Sequence, residues 1–428
     1  MPGAAGRPSP VRFFSPRLHT TRMDAAVGAP RDGPSRGTLT SFYLIGFFAI
    51  FSTTIAKNPV LPLFAQALGA DDAVIGLIAF FSPFAGILFS FPVGVLSDHL
   101  GRRRLLIAAG TVFFVAPLLY LVISDPAWLI SVRFFHGTAT AILAPVVAAA
   151  IAGRFPARTG EILGQYSSAT LVGRTAAPLV GGAVLSLFAA GPGLVPYRAV
   201  YAIAAGAGFL VLVMTLLYRE EGEGPLRVLE LPAFRESLGA FLSSRRLRGT
   251  ALAEMAAYFA FGAFETFLPL LLLSRGVDAY AIGIVFAVQV VVVAATKPLF
   301  GRLADRRDKR VQIEAGLLVL AASIALLPAA PSVPVILLVS AVFGLGLSLS
   351  TVATSAYVAE VAASTRMGAS MGALSSIMDI GHSTGPLVTG AVITAGGYEW
   401  GFLLSGILAL VVTLVFAASS AGPGHVAR

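Results

Sequence analysis

The chain of 428 residues contains no cysteine. That excludes disulfides, thiolate metal sites and cysteine nucleophiles. It is also poor in charge: Asp, Glu, Lys and Arg make up 12% of it, against about 25% in an ordinary soluble domain. Three residues are lysine and two are tryptophan. No H-E-x-x-H or G-x4-G-K-[ST] pattern occurs, so the zinc-protease and P-loop chemistries have no carrier. Gly206-Ala207-Gly208 and Gly344-Leu345-Gly346 lie inside apolar runs and read as packing glycines. The sequence therefore predicts no enzyme, no cofactor, no metal and no nucleotide. What it has in excess is apolar surface: 57% of residues and a mean hydropathy of +0.85. A soluble fold of this length needs more polar side chains for its surface, which points to a polytopic membrane protein.

Residues 1–39 differ in kind. They are rich in Pro, Gly and Arg, with only Asp24 and Asp32 opposing six arginines. They read as a disordered cytoplasmic tail, without the apolar stretch of a secretory leader; Met23 is a second candidate start. From Thr40 to residue 418 the chain divides into twelve apolar runs of about 18–28 residues, each long enough to cross the hydrocarbon core as a helix. The charged segment 219–248, with Pro225 and Pro232, splits them six and six: a first bundle over 40–218, a cytoplasmic linker, a second bundle over 249–418 and a cytoplasmic tail over 419–428. With the N-terminus inside, the cytoplasmic segments hold 24 Lys and Arg, the outer loops two (Arg198, Arg275), and the helices four. This asymmetry orients a multi-pass protein of the cell (inner) membrane with both termini cytoplasmic. It also accounts for the net charge of +9 without nucleic acid, because the basic residues sit in short loops lacking interleaved aromatics.

The two halves repeat each other. Gly164-x8-Gly173-x3-Ala177-Pro178-x2-Gly181-Gly182 in the fifth run recurs as Gly372-x8-Gly381-x3-Gly385-Pro386-x2-Thr389-Gly390 in the eleventh, displaced by 208. Leu61-Pro62-Leu63 recurs as Leu268-Pro269-Leu270, and Gly94-x-Leu96-x-Asp98 as Gly301-x-Leu303-x-Asp305, displaced by 207. Two six-helix bundles of one topology, related by an axis along the membrane normal, follow.

The loop Gly94-Val95-Leu96-Ser97-Asp98-His99-Leu100-Gly101-Arg102-Arg103-Arg104 resembles the G-x-L-a-D-r-x-G-r-r signature of the major facilitator superfamily. Arg133-x2-His136-Gly137 resembles that family's R-x-x-q-G signature, with His for Gln, and the Gly164–Gly182 pattern is similar to the fifth-helix signature of its twelve-helix drug/proton antiporters. The resemblance implies an all-α membrane fold, twelve transmembrane helices in two pseudo-symmetric six-helix bundles. It implies helices one, four, seven and ten around a central cavity, and a cytoplasmic gating latch built from Gly94, Asp98, Gly101, Arg102 and Arg103. The second copy, Gly301 and Asp305, is degenerate: Asp308 stands where Gly101 should turn the chain. Gly164, Gly173, Pro178, Gly181, Gly182, Gly372, Gly381, Gly385, Pro386 and Gly390 read as helix-packing positions.

Charges inside hydrocarbon are costly and mark sites of use. Lys57, Arg133, Arg174, Glu265 and Asp379 stand in that position, with Asn58, His136 and His382 as polar companions. Glu265 aligns with Asn58, so Lys57 and Glu265 lie at nearly equivalent heights in the two halves. A Lys57–Glu265 or a Lys57–Asp379 pair across the cavity is expected; the alternative is snorkelling or local pairing. Lys297 and Glu254 fall near helix ends, where snorkelling is expected; Gln165 and Gln289 are further cavity candidates. The expected function is secondary transport of a small solute by alternating access, as proton-coupled efflux by a monomer in the lipid bilayer. A metabolite symporter and a non-transporting sensor or assembly factor are the alternatives. The slightly cationic interior points to anionic, zwitterionic or neutral solutes.

Overall fold

The computed structural model describes residues 36–218, 244–361 and 367–420, with Gly239; the side chains of 36–38, 90–92, 94–100, 367–369 and 420 fall outside that description. Residues 1–35, 421–428 and most of the 219–248 segment therefore lie outside the described residues, as does the side chain of Asp98.

Every described segment is helical or a short connection. The first run forms two helices, α1 (Arg36–Ile55) and α2 (Val60–Ala67). The break falls at Lys57-Asn58-Pro59, where Pro59 has no N–H to continue the ladder and disfavours helical geometry in the residue before it. There follow α3 (Asp72–Leu100), α4 (Arg102–Val122), α5 (Ala127–Arg154), α6 (Thr159–Leu187) and α7 (Val195–Leu217). The second half runs α8 (Arg245–Ser274), α9 (Ala279–Arg306), α10 (Lys309–Leu326), α11 (Val333–Val361), α12 (Met367–Gly396) and α13 (Tyr398–Ser420). With α1 and α2 as one span, these are the twelve expected crossings. Eleven are long and apolar enough to cross a membrane among the described residues. The exception is α12, 30 residues long, whose apolar stretch is interrupted by Asp379, His382 and several Ser and Thr.

The repeat is visible in the caps. Asp71 accepts from the Val74 N–H at 2.8 Å and so starts α3. Asp278, displaced by 207, accepts from the N–H groups of Tyr280 and Ala281 and starts α9. Each satisfies donors that the first helical turn leaves free. At the other end the copies differ. Gly101 turns the chain between α3 and α4 at φ +82°, a left-handed value that favours glycine. Asp308 makes the equivalent turn at φ −61° and caps α10 by accepting from the Arg310 N–H at 2.9 Å. The degenerate copy thus replaces glycine geometry with a side-chain cap.

Two interfaces join the halves: α3 against α12, and α6 against α9. They are built alike. A β-carbon on Gly76 would collide with the Pro386 carbonyl, and one on Gly283 with the Pro178 carbonyl. A β-carbon on Gly390 would meet the Asp72 carbonyl, and one on Gly182 the Ala279 carbonyl. Each of these four contacts has its counterpart at the repeat offset, and each puts a helix backbone directly on a helix backbone. Hydrogen bonds close the same end: Ala73 N–H donates to Thr394 Oγ1 at 2.9 Å, Tyr398 to Asp72 at 3.3 Å, and Tyr280 N–H to Ser186 Oγ at 3.0 Å. Gly173, Gly381 and Gly385 instead seat α6 on α1 and α12 on α8, against the carbonyls of Phe47, Met255 and Phe259. Gly181 packs on Ile55 and Val60 at the helix break. Gly164 and Gly372, expected as packing positions, have nothing within 4 Å. They sit on α6 and α12 toward the opposite end, where the halves diverge. The molecule is closed at the end carrying the Asp71 and Asp278 caps and open at the end carrying Gly101 and Asp308.

At that open end Arg103 donates to the carbonyls of Tyr218 (2.9 Å) and Leu216 (3.1 Å), and Arg102 lies over Gly153. Both arginines tie the loop to the ends of α7 and α5, within the first half. Gly301 meets no neighbour within 4 Å and Asp305 is exposed.

Candidate functional site

The helix break places Lys57 and Asn58 where irregular backbone meets the interior, a geometry tolerated at membrane depth only inside protein or along a cavity. Glu265 reaches them from the unbroken middle of α8. One carboxylate oxygen, Oε2, accepts from Lys57 Nζ and lies 2.8 Å from His382 Nε2 of α12; the other, Oε1, accepts from Asn58 Nδ2. Lys57 Nζ also stands 3.2 Å from His382 Nε2. Lys57 therefore takes Glu265 rather than Asp379. The pair is largely shielded, with side-chain exposures of 18% and 9%. A shielded ion pair stands only when its remaining hydrogen-bonding capacity is also met, and Asn58 and His382 meet it here. The cluster links the halves through a single carboxylate.

Its surroundings are apolar on one side and aromatic on the other. Leu61 and Pro62 of α2 and Ile75, Ile78 and Ala79 of α3 line a small pocket against the pair. Phe261 and Tyr258, on α8, flank the His382 ring with centroids at 5.3 and 6.2 Å. Asp379 lies one turn nearer the open end on α12, half-buried beside Gly86 of α3. Arg174 of α6 and Lys297 of α9 are exposed. Among the described residues neither forms an ion pair.

Two expectations change. Glu254 does not snorkel: it is 4% exposed and accepts a hydrogen bond from the Thr354 hydroxyl of α11, with Lys297 as the cation acting on it. Its position about three turns from Glu265 indicated height in the helix but not that its face turns into the second half. Arg133 and His136 are each 1% exposed and are sealed among α4, α5 and α7 rather than lining the opening. Gln289 is buried, while Gln165 is an exposed open-end residue that accepts from Tyr43. With Arg133 sealed away, the cations Lys57, Arg174 and Lys297 stand against the carboxylates Glu254, Glu265 and Asp379, so the positive excess read from the sequence does not carry over to the cavity.

Against known proteins, the family model described as Major Facilitator Superfamily matches residues 42–278 and 250–425. The chain is 24% identical over 388 residues to the uncharacterized MFS-type transporter MJ1560 of Methanocaldococcus jannaschii, covering 88% of this chain and 95% of that one. It is 26% identical over 190 residues to the multi-drug resistance efflux pump PmrA of Streptococcus pneumoniae, covering 42% of this chain and 46% of that one. Among solved structures it superposes on a bacterial homologue of the human lysosomal transporter Spinster, in an inward-facing and unoccupied conformation. That match has a TM-score of 0.75 at 18% identity and covers 91% of this chain and all of the other. Two helical bundles closed at one end, a charged cluster between them and a family match along both halves lead to one assignment: the chain is a secondary transporter of the Major Facilitator Superfamily.

Proposed function

We propose that this transporter couples movement of a small solute to protons and that it works as an exporter. The observation carrying the coupling is the Glu265 carboxylate, which receives Lys57 and Asn58 from one half and faces His382 in its own. Adding a proton to that carboxylate removes the charge that holds Lys57. The central tie between the halves then weakens, and the bundles are free to rock about it. Asp379, one turn toward the opening, is placed to pass the proton between the cluster and the cavity. Lys57 is a fitting partner because an ammonium, unlike a guanidinium, can also release its proton. The open end is taken as cytoplasmic, from the excess of basic residues in its loops.

The exposed cations Arg174 and Lys297 support an anionic, zwitterionic or neutral solute over a lipophilic cation. Export is supported by the fifth-helix signature and by the likeness to PmrA over part of the chain. The test is flux of a solute panel into proteoliposomes under an imposed pH gradient. The wild type should move at least one solute against its gradient, with both Lys57→Ala and Glu265→Gln uncoupled. Wild-type transport by both variants would overturn the site. Gradient-driven uptake in right-side-out vesicles, without efflux, would reverse the direction.

A further inference from the structure

The first half carries a second polar cluster that the transport reading does not use. Arg133 and His136 of α5 are each 1% exposed, and Tyr120 of α4 and Tyr201 of α7 are fully buried. The two tyrosine rings stack with centroids 4.5 Å apart, and the His136 ring lies 6.0 Å from Tyr120. Phe113 closes the other side of His136 at 6.2 Å. The Arg133 charge acts on all three neighbours. Yet Nε and Nη1 of Arg133, both ring nitrogens of His136 and the hydroxyl of Tyr201 are buried without a hydrogen-bond partner. No carboxylate pairs with Arg133 among the described residues.

Five such atoms in one cluster are unusual in a folded protein, because an unmet buried polar group is costly and a charged one more so. A guanidinium cannot shed its proton to escape that cost. Donors predominate among them. Arg133 supplies only donors, each tyrosine hydroxyl can donate, and the imidazole donates from one nitrogen. A permanent cation ringed by donors is complementary to an anion. The enclosure limits its size: Arg133 and His136 are each 1% exposed, which excludes a carboxylate bearing the rest of a solute and leaves a monatomic ion as the fitting class.

We propose that Arg133, His136, Tyr120 and Tyr201 form a buried site for a small inorganic anion of the halide class, separate from the solute pathway. The test uses the purified full-length protein in detergent, in chloride against gluconate at equal ionic strength, read by melting temperature. Chloride should raise it saturably, since a ligand that binds only the folded state stabilises it by mass action. His136→Leu should raise the half-saturating chloride about tenfold, the equivalent of one lost charge-assisted contact. Tyr120→Phe should act in the same direction, and Arg133→Gln should abolish the response. Crystals grown in bromide should show an anomalous peak between these four side chains. Equal melting in chloride and gluconate would overturn the proposal. So would an unchanged response in His136→Leu and Tyr120→Phe, which decide the matter if Arg133→Gln fails to fold, or density at the site that is water alone.

Discussion

The clearest consequence of the interface geometry is a pair of opposite glycine effects. Gly182 and Gly390 lie at quasi-equivalent places in the two inter-half contacts, where a β-carbon would strike the carbonyls of Ala279 and Asp72. Gly164 and Gly372 lie on the same two helices toward the open end, with nothing within 4 Å. Replacing glycine by alanine inside a helix favours the helix by about 1 kcal/mol. That gain is common to both conformations and cancels from their equilibrium. What remains is overpacking, about 1–3 kcal/mol at a well-packed contact. Gly182→Ala or Gly390→Ala should therefore shift the population away from the closed arrangement about 5- to 150-fold. The two sites lie in separate contacts and share no partner, so the double variant should move it by the product. Gly164→Ala and Gly372→Ala should leave the closed arrangement undisturbed, and should disfavour whichever conformation brings the open end together. The absence of native cysteine makes the measurement direct. Spin labels at Ser124→Cys and Ser332→Cys, on exposed closed-end connections of the two halves, report the separation by pulsed electron resonance. The double variant should show a longer distance that the wild type lacks. An unchanged distribution, or equal lengthening by Gly164→Ala, would refute the assignment of the closed end.

Two further outcomes follow from single contacts. Glu265→Ala leaves the Lys57 ammonium shielded and unpaired, a loss of about 3–5 kcal/mol; adding Lys57→Met should restore much of the melting temperature but not the coupled flux. Asp308→Ala removes the cap of α10 and should lower stability by about 0.5–2 kcal/mol, whereas Asp308→Gly, the residue that the first copy carries, should cost only a few tenths, both read by thermal denaturation.

Much of the site was legible because helices convert residue number into height. At about 1.5 Å per residue, an offset of 207 puts Asn58 and Glu265 level, and two charges in otherwise apolar runs had few other partners. The same arithmetic is silent about direction around the axis. Glu254 and Arg133 are both mid-chain charges in apolar helices, but one accepts from Thr354 and the other is walled in by Tyr120, Tyr201 and His136. Each residue advances the face by about 100°, so a helix that is apolar nearly all round offers no stripe from which to read which side turns inward. Lys297 and Arg174 likewise could be placed in their helices but not at the opening.

By itself the sequence determined the number of crossings, their bias of charge, the repeat, and the short set of ionisable residues that lipid would not tolerate unpaired. Those are properties of composition and spacing, and hydrocarbon enforces them on any arrangement of the helices. Only the tertiary structure decided which end is closed, that Lys57 takes Glu265 rather than Asp379, and that Arg133 is sealed away from the cavity. Those depend on helix rotation and on backbone meeting backbone at Gly76, Gly182, Gly283 and Gly390, contacts between residues 97 to 318 positions apart that no local pattern encodes.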